Sequence, residues 1–110
     1  MKEELDYLAG VIDSRGCFVE KFLIRGKKKY KQFQFKLSTN DKKFLKVVRG
    51  IMKNLNIKTN VTQYGNTVTL WVTDRAELIK LCSYILDKSR VRKNELVKFM
   101  DKIIKEMNRG

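Results

Sequence analysis

Leu8-Ala9-Gly10-Val11-Ile12-Asp13-Ser14-Arg15-Gly16 is the stretch on which the fold turns. It closes a helical pattern that starts near Glu3. Leu5, Leu8, Ala9 and Ile12 recur at the spacing of one apolar helix face. Asp13 to Gly16 stops the helix, and Gly16 suits a left-handed exit. Gly10 lies inside the helix, where it costs about 1 kcal/mol against alanine. With Ala9 beside it, close approach by another helix is a reason to keep it.

Outward from this helix the pattern changes period. Residues 17–24 and 30–38 read as two strands, joined by a basic hairpin loop over 25–29. Phe33, Phe35 and Leu37 point to one side of the second strand; Tyr30, Gln32, Gln34, Lys36 and Ser38 point to the other. A helix follows over 42–55, capped by Asn40 or Asp41, with Phe44, Leu45, Val48, Ile51, Met52 and Leu55 inward. A second hairpin, 59–64 and 67–73, turns at Gly65-Asn66. Helices over 75–86 and 93–107 complete the chain. The expectation is one α+β domain over residues 1–110: helices on one face of a four-stranded antiparallel sheet, the other face polar and basic.

Composition narrows the function. The 110 residues carry 25 Lys+Arg against 12 Asp+Glu, net +13, and no histidine. A His general base, a Ser-His-Asp triad and a His-ligated metal are excluded. The positive charge is densest between Arg15 and Lys43. A field of one sign points to a polyanion, nucleic acid first and an anionic membrane second. No apolar run is long enough to span a membrane, and the acidic N-terminus is unlike a signal peptide. Cys17 and Cys82 form no metal-binding spacing and read as reduced, buried thiols of a cytoplasmic protein. Polar strand faces carrying Gln, Lys, Thr and Tyr can enter a DNA major groove, although alternation alone also describes an ordinary solvated strand.

Residues 8–16 resemble the LAGLIDADG motif of homing endonucleases, and Phe18 continues the pattern. The element order agrees with that family's αββαββα core plus an extra C-terminal helix. The resemblance implies a mode of assembly and a partner. A single motif resembles the homodimeric class, in which two motif helices pack together; Leu5, Leu8, Ala9, Gly10, Ile12 and Asp13 become the dimer-interface candidates. By the same resemblance, the two sheets form a saddle on double-stranded DNA. The contact candidates are Lys21, Arg25, Lys27, Lys28, Lys29, Tyr30, Gln32, Gln34, Lys36, Thr67, Thr69 and Trp71. In active members an acid at the eighth motif position holds Mg²⁺ over the scissile phosphate, chemistry that needs no histidine.

Here the eighth position is Arg15, whose guanidinium repels Mg²⁺. Asp13, the structural acid of the motif, is the weak candidate for metal and catalysis, with Glu20 behind it. Arg90, flanked by Lys88 and Arg92, matches a basic residue that assists at the phosphate. A family glutamine near the end of the second strand falls on Leu37. The expectation is a DNA-binding homodimer with cleavage lost or impaired. The alternatives are an active endonuclease, using Asp13 or a partner's acid with Mg²⁺, and an RNA-binding intron maturase. No membrane partner is expected.

Overall fold

In the computed structural model, which describes residues 2–89 and 92–108, the motif helix α1 spans Lys2–Arg15. Leu8, Ala9 and Ile12 are buried and Leu5 is half-buried, so the face read from the spacing is the inward one. Strands β1 (Cys17–Arg25) and β2 (Lys28–Thr39) follow. Arg25 pairs with Lys28, so the hairpin closes over Gly26-Lys27 alone, tighter than the five-residue loop expected. Gly26, like Gly65 in the second hairpin, has a φ near +60°, as a leading glycine in a two-residue turn requires.

Helix α2 spans Lys42–Asn54. Asp41 is its N-cap, its carboxylate accepting from the Phe44 amide at 3.1 Å. The other end is a Schellman motif: Asn56 takes φ 60°, its N–H reaches Lys53 O, and the Ile57 N–H reaches Met52 O at 2.9 Å. Ile57 is buried just beyond, so the stop is fixed by an apolar contact as well. Strands β3 (Asn60–Tyr64) and β4 (Thr67–Val72) lead to α3 (Arg75–Leu86) and α4 (Lys93–Asn108). Asp74 caps α3, accepting from the amides of Ala76 and Glu77.

The sheet is antiparallel throughout, in the order β1-β2-β4-β3. Phe33, Phe35, Leu37, Val68, Leu70 and Val72 are buried beneath the helices. Phe18, Phe99, Phe33 and Phe35 join in a chain of ring contacts at 5.1–5.6 Å, which locks α4 to β1 and β2. The fold class is the one expected: four helices on one face of a four-stranded antiparallel sheet.

Three expectations about single residues need correction. Gly16 is not in the left-handed region. A Cβ there would lie 2.8 Å from the Phe35 ring and 2.9 Å from the Ile12 carbonyl, so glycine is required by crowding instead. Nothing within this chain lies within 4 Å of where a Gly10 Cβ would stand, so no helix of the same chain explains that glycine. Cys17 is exposed at the start of an edge strand; only Cys82 is buried, and burial pushes its thiol pKa up to about 12.

Candidate nucleic-acid interface and motif centre

Strand alternation settles what the uncovered sheet face displays. Register places Cys17, Val19, Lys21, Leu23 and Arg25 on it from β1, facing Lys36, Gln34, Gln32, Tyr30 and Lys28 of β2. From the other half come Ser38, Thr69, Thr67 and Trp71, with Asn60, Thr62 and Tyr64 of β3. None of these is acidic. The single acid in the four strands is Glu20, and it lies on the opposite face, in register with buried Phe33. Its carboxylate meets Lys102 of α4 at 3.1 Å and Lys31 at 3.4 Å. The hydrogen bond from Lys102 is the leading cause of a pKa below the usual glutamate value; Lys31 helps, and burial opposes. The one acid of the four strands is thus paired on the other side of the sheet.

The contact candidates divide into three groups. Lys21, Arg25, Lys28 and Lys36 lie on the open face and, among the described residues, join no ion pair. Tyr30 is exposed and Gln32 half-buried beside them, while Lys27 occupies the turn. On the β3–β4 side the polar groups bind one another. Trp71 Nε1 donates to Thr62 Oγ1 at 2.8 Å, Ser38 and Thr69 share a hydroxyl hydrogen bond at 2.8 Å, and Thr67 donates to Asn40. Two expectations shift. Lys29 lies on the helix side, its ammonium 4.3 Å from the Phe22 ring centre. Gln34, beside Val19, is 9% exposed, so its amide offers less to a groove than Gln32 does.

Residues 21–30 are all exposed. The β1–β2 ribbon therefore extends past the body of the domain. Beyond the reach of β4, the Lys31 carbonyl at the β2 edge accepts from the Arg75 guanidinium at 3.0 Å. A two-stranded ribbon of this form is one of the elements narrow enough for a major groove.

The second centre lies where α1 ends. The Asp13 carboxylate accepts from Ser89 Oγ, which is buried and itself accepts from the Arg92 amide at 3.0 Å. The Arg92 guanidinium donates to the Gly16 carbonyl. Lys88 pairs with Asp6 at 3.6 Å. Lys88, Ser89 and Arg92 are thereby tied to the motif helix, and Asp13 accepts from Ser89 at that junction. Arg15 is exposed, its guanidinium 5.0 Å from the Phe44 ring centre. Arg90 lies outside the described residues.

These residues do not suit Mg²⁺. At the motif end, among the described residues, the Asp13 carboxylate already accepts from Ser89, the nearby Arg92 guanidinium donates to the Gly16 carbonyl, and the Arg15 guanidinium lies over the Phe44 ring. Among the described residues no group of three potential acidic or thiol ligands comes together anywhere. Mg²⁺ prefers near-octahedral oxygen coordination with carboxylates to balance its charge, and an arginine neighbour works against that.

The dimer-interface candidates also divide. Leu8, Ala9 and Ile12 belong to the chain's own core, because α1 packs on α2, α3 and β2. The side of α1 that faces solvent carries Glu3, Tyr7, Gly10 and Ser14. Sequence spacing finds the apolar side and gives no sign that it serves the interior alone.

The family model described as a LAGLIDADG-like domain matches residues 2–103. The chain belongs to the LAGLIDADG-like family. Three solved homing-endonuclease structures illustrate the likeness. The homing endonuclease I-CvuI, in complex with a DNA target, superposes with TM-score 0.83 at 16% identity, over 97% of this chain and 69% of that one. The archaeal intron-encoded homing endonuclease I-Vdi141I, complexed with DNA, gives TM-score 0.82 at 19% identity, over 97% and 70%. For the LAGLIDADG homing endonuclease I-GzeII the match covers 96% of this chain but 36% of that one, at TM-score 0.81 and 16% identity. At these identities the likeness is one of fold. No curated protein is similar in sequence. In this LAGLIDADG-like chain, then, the fold is kept.

Proposed function

We propose that this protein binds double-stranded DNA through its open sheet face as a homodimer, and that it does not cleave. The observation that carries the reading is the absence of any acid on that face, together with Lys21, Arg25, Lys28 and Lys36 outside every ion pair of the described residues. Phosphate contacts of this kind supply affinity, and groups on the exposed ribbon such as Tyr30 and Gln32 are placed to supply discrimination. The two helices meet across the solvent side of α1, where Gly10 leaves room for a second backbone. The DNA complexes of I-CvuI and I-Vdi141I support the choice of partner.

Loss of cleavage rests on the motif end. Arg15 adds positive charge where the family carries an acid, and Asp13 is engaged by Ser89. Arg15 is placed to bind a backbone phosphate, and the Ser89–Arg92 junction keeps the α3–α4 loop against the helix end. The test is selection of bound sites from a random duplex library, then incubation of the selected site with the protein and Mg²⁺ or Mn²⁺. Selection of a defined site that stays intact is the expected result. Cleavage of that site would overturn the second half of the proposal. Failure to enrich any duplex, with enrichment of a structured RNA, would overturn the first.

A further inference from the structure

A second basic surface lies on the helix side of the domain. From residue 42 to residue 73 the chain contains no acid. Helix α2 turns Leu45, Val48, Ile51 and Met52 into the core. At 100° per residue this sends Lys46, Gly50 and Lys53 to the opposite side and Arg49 to the flank. These residues line a cleft of about 910 Å³ with Asn56, Ile57, Lys58, Thr59 and Asn60, which belong to the α2–β3 connection and the start of β3. No acid lines it, and none of its four cations joins an ion pair of the described residues. The nearest carboxylates are committed elsewhere. Glu77 accepts from the Lys58 amide and pairs with Lys80, and Glu4 accepts from Asn54.

The shape matters as much as the charge. Gly50 sits among the cations in mid-helix, where glycine costs about 1 kcal/mol against alanine. Nothing lies within 4 Å of the position its Cβ would take. Packing inside the chain therefore does not account for the glycine, and the notch it leaves exposes helix backbone at the cleft. A concave, cation-rimmed groove admits one flexible strand more readily than the convex flank of a duplex. No aromatic side chain lines it, so bases have no platform to stack on, and recognition falls to the phosphates.

We propose that this cleft is a second nucleic-acid site, one that takes a single strand by its phosphodiester backbone with little sequence preference. Its cations are distinct from those of the sheet face: Lys46, Arg49 and Lys53 stand on α2 and Lys58 in the connection to β3, with Asn60 alone shared between cleft and sheet face. A strand and a duplex can therefore be held together.

The test uses fluorescence anisotropy with labelled oligo(U) and oligo(dT) and the full-length protein. Both are expected to bind, to similar extents, and to remain bound when unlabelled duplex saturates the sheet. The K46A/R49A/K53A variant is expected to lose at least tenfold in affinity for the strand. Its log K against log salt slope should fall by about 2 units, from about 0.7 per lost phosphate contact on a single strand. Duplex binding should keep its wild-type value. Gly50→Leu guards against misfolding as an explanation, since leucine favours the helix and meets open space. It is expected to weaken strand binding while leaving the melting temperature unchanged or higher. Unchanged strand affinity in both variants would overturn the proposal, as would displacement of the strand by stoichiometric duplex. Failure of the wild-type protein to bind duplex, with strand binding intact, would count against the sheet and not against the cleft.

Discussion

Gly16→Ala is the substitution whose cost can be worked most closely from the structure. The added methyl would stand 2.8 Å from Phe35 Cε1, 2.9 Å from the Ile12 carbonyl oxygen and 3.0 Å from Ile12 Cγ2. Neither neighbour gives way easily. The Ile12 carbonyl is helix backbone and already accepts the Gly16 N–H at 2.9 Å. Phe35 is fully buried, and its ring is held by Phe18, which in turn meets Phe99. Overpacking of this kind costs about 1–3 kcal/mol. The narrower unfolded ensemble of alanine returns about 0.4–1 kcal/mol. Taken near the middle of both ranges, the net is a loss of about 1–2 kcal/mol. With an unfolding entropy of about 2.1 cal/mol/K per residue, that lowers the melting temperature by roughly 4–9 °C for a chain of this length. The assay is thermal unfolding by far-UV circular dichroism at fixed protein concentration, because the proposed dimerisation would make the midpoint depend on it. A Gly16→Ala protein that melts at or above wild type would show that crowding does not hold this glycine in place.

Gly10→Leu meets open space in the single chain, so the monomer should fold, but it should sediment as a monomer; a mutant that remains dimeric removes α1 from the interface. Arg15→Asp should restore some Mg²⁺-dependent nicking of the selected duplex, and a variant as inert as wild type would place the block elsewhere. Glu20 has a lowered pKa, held down first by Lys102, so its contribution is present above the usual glutamate value and is lost as pH falls through the folded one. Glu20→Gln should therefore destabilise by up to about 1 kcal/mol at neutral pH. The difference should shrink below about pH 4.5, where the free carboxyl protonates; a difference independent of pH would show that the charge is not responsible.

Much of the architecture was legible because periodicity reports the inward side of each element. The α1 spacing found Leu8, Ala9 and Ile12, and the β2 alternation found Phe33, Phe35 and Leu37, all buried. Leu37, on which the resemblance placed a family glutamine, points into the core. Periodicity does not report what lies beyond an element. It could not tell that Leu8, Ala9 and Ile12 of α1 are taken by their own chain, nor that Gly16 is fixed by the Phe35 ring. Nor could it reveal that Lys29 faces away from Lys28, because the hairpin turn is shorter than its run of lysines suggested. The Ser89–Arg92 junction depends on a contact 76 residues apart along the chain, which no local pattern encodes. The cleft on α2 did leave a trace, an acid-free run with a glycine in mid-helix, but the run continues through the second hairpin and does not by itself mark a site.

If DNA lies on the open sheet face, held by its unpaired cations, the salt dependence of binding to the selected duplex must report those cations. The comparison is between wild type and the K21A/K28A/K36A variant. Wild type should show log K falling linearly with log salt. The variant should lose affinity, and its slope should drop by about 0.9 for each phosphate contact removed. A flat salt response in wild type, or a variant with the same slope and affinity, would mean that DNA is not held there.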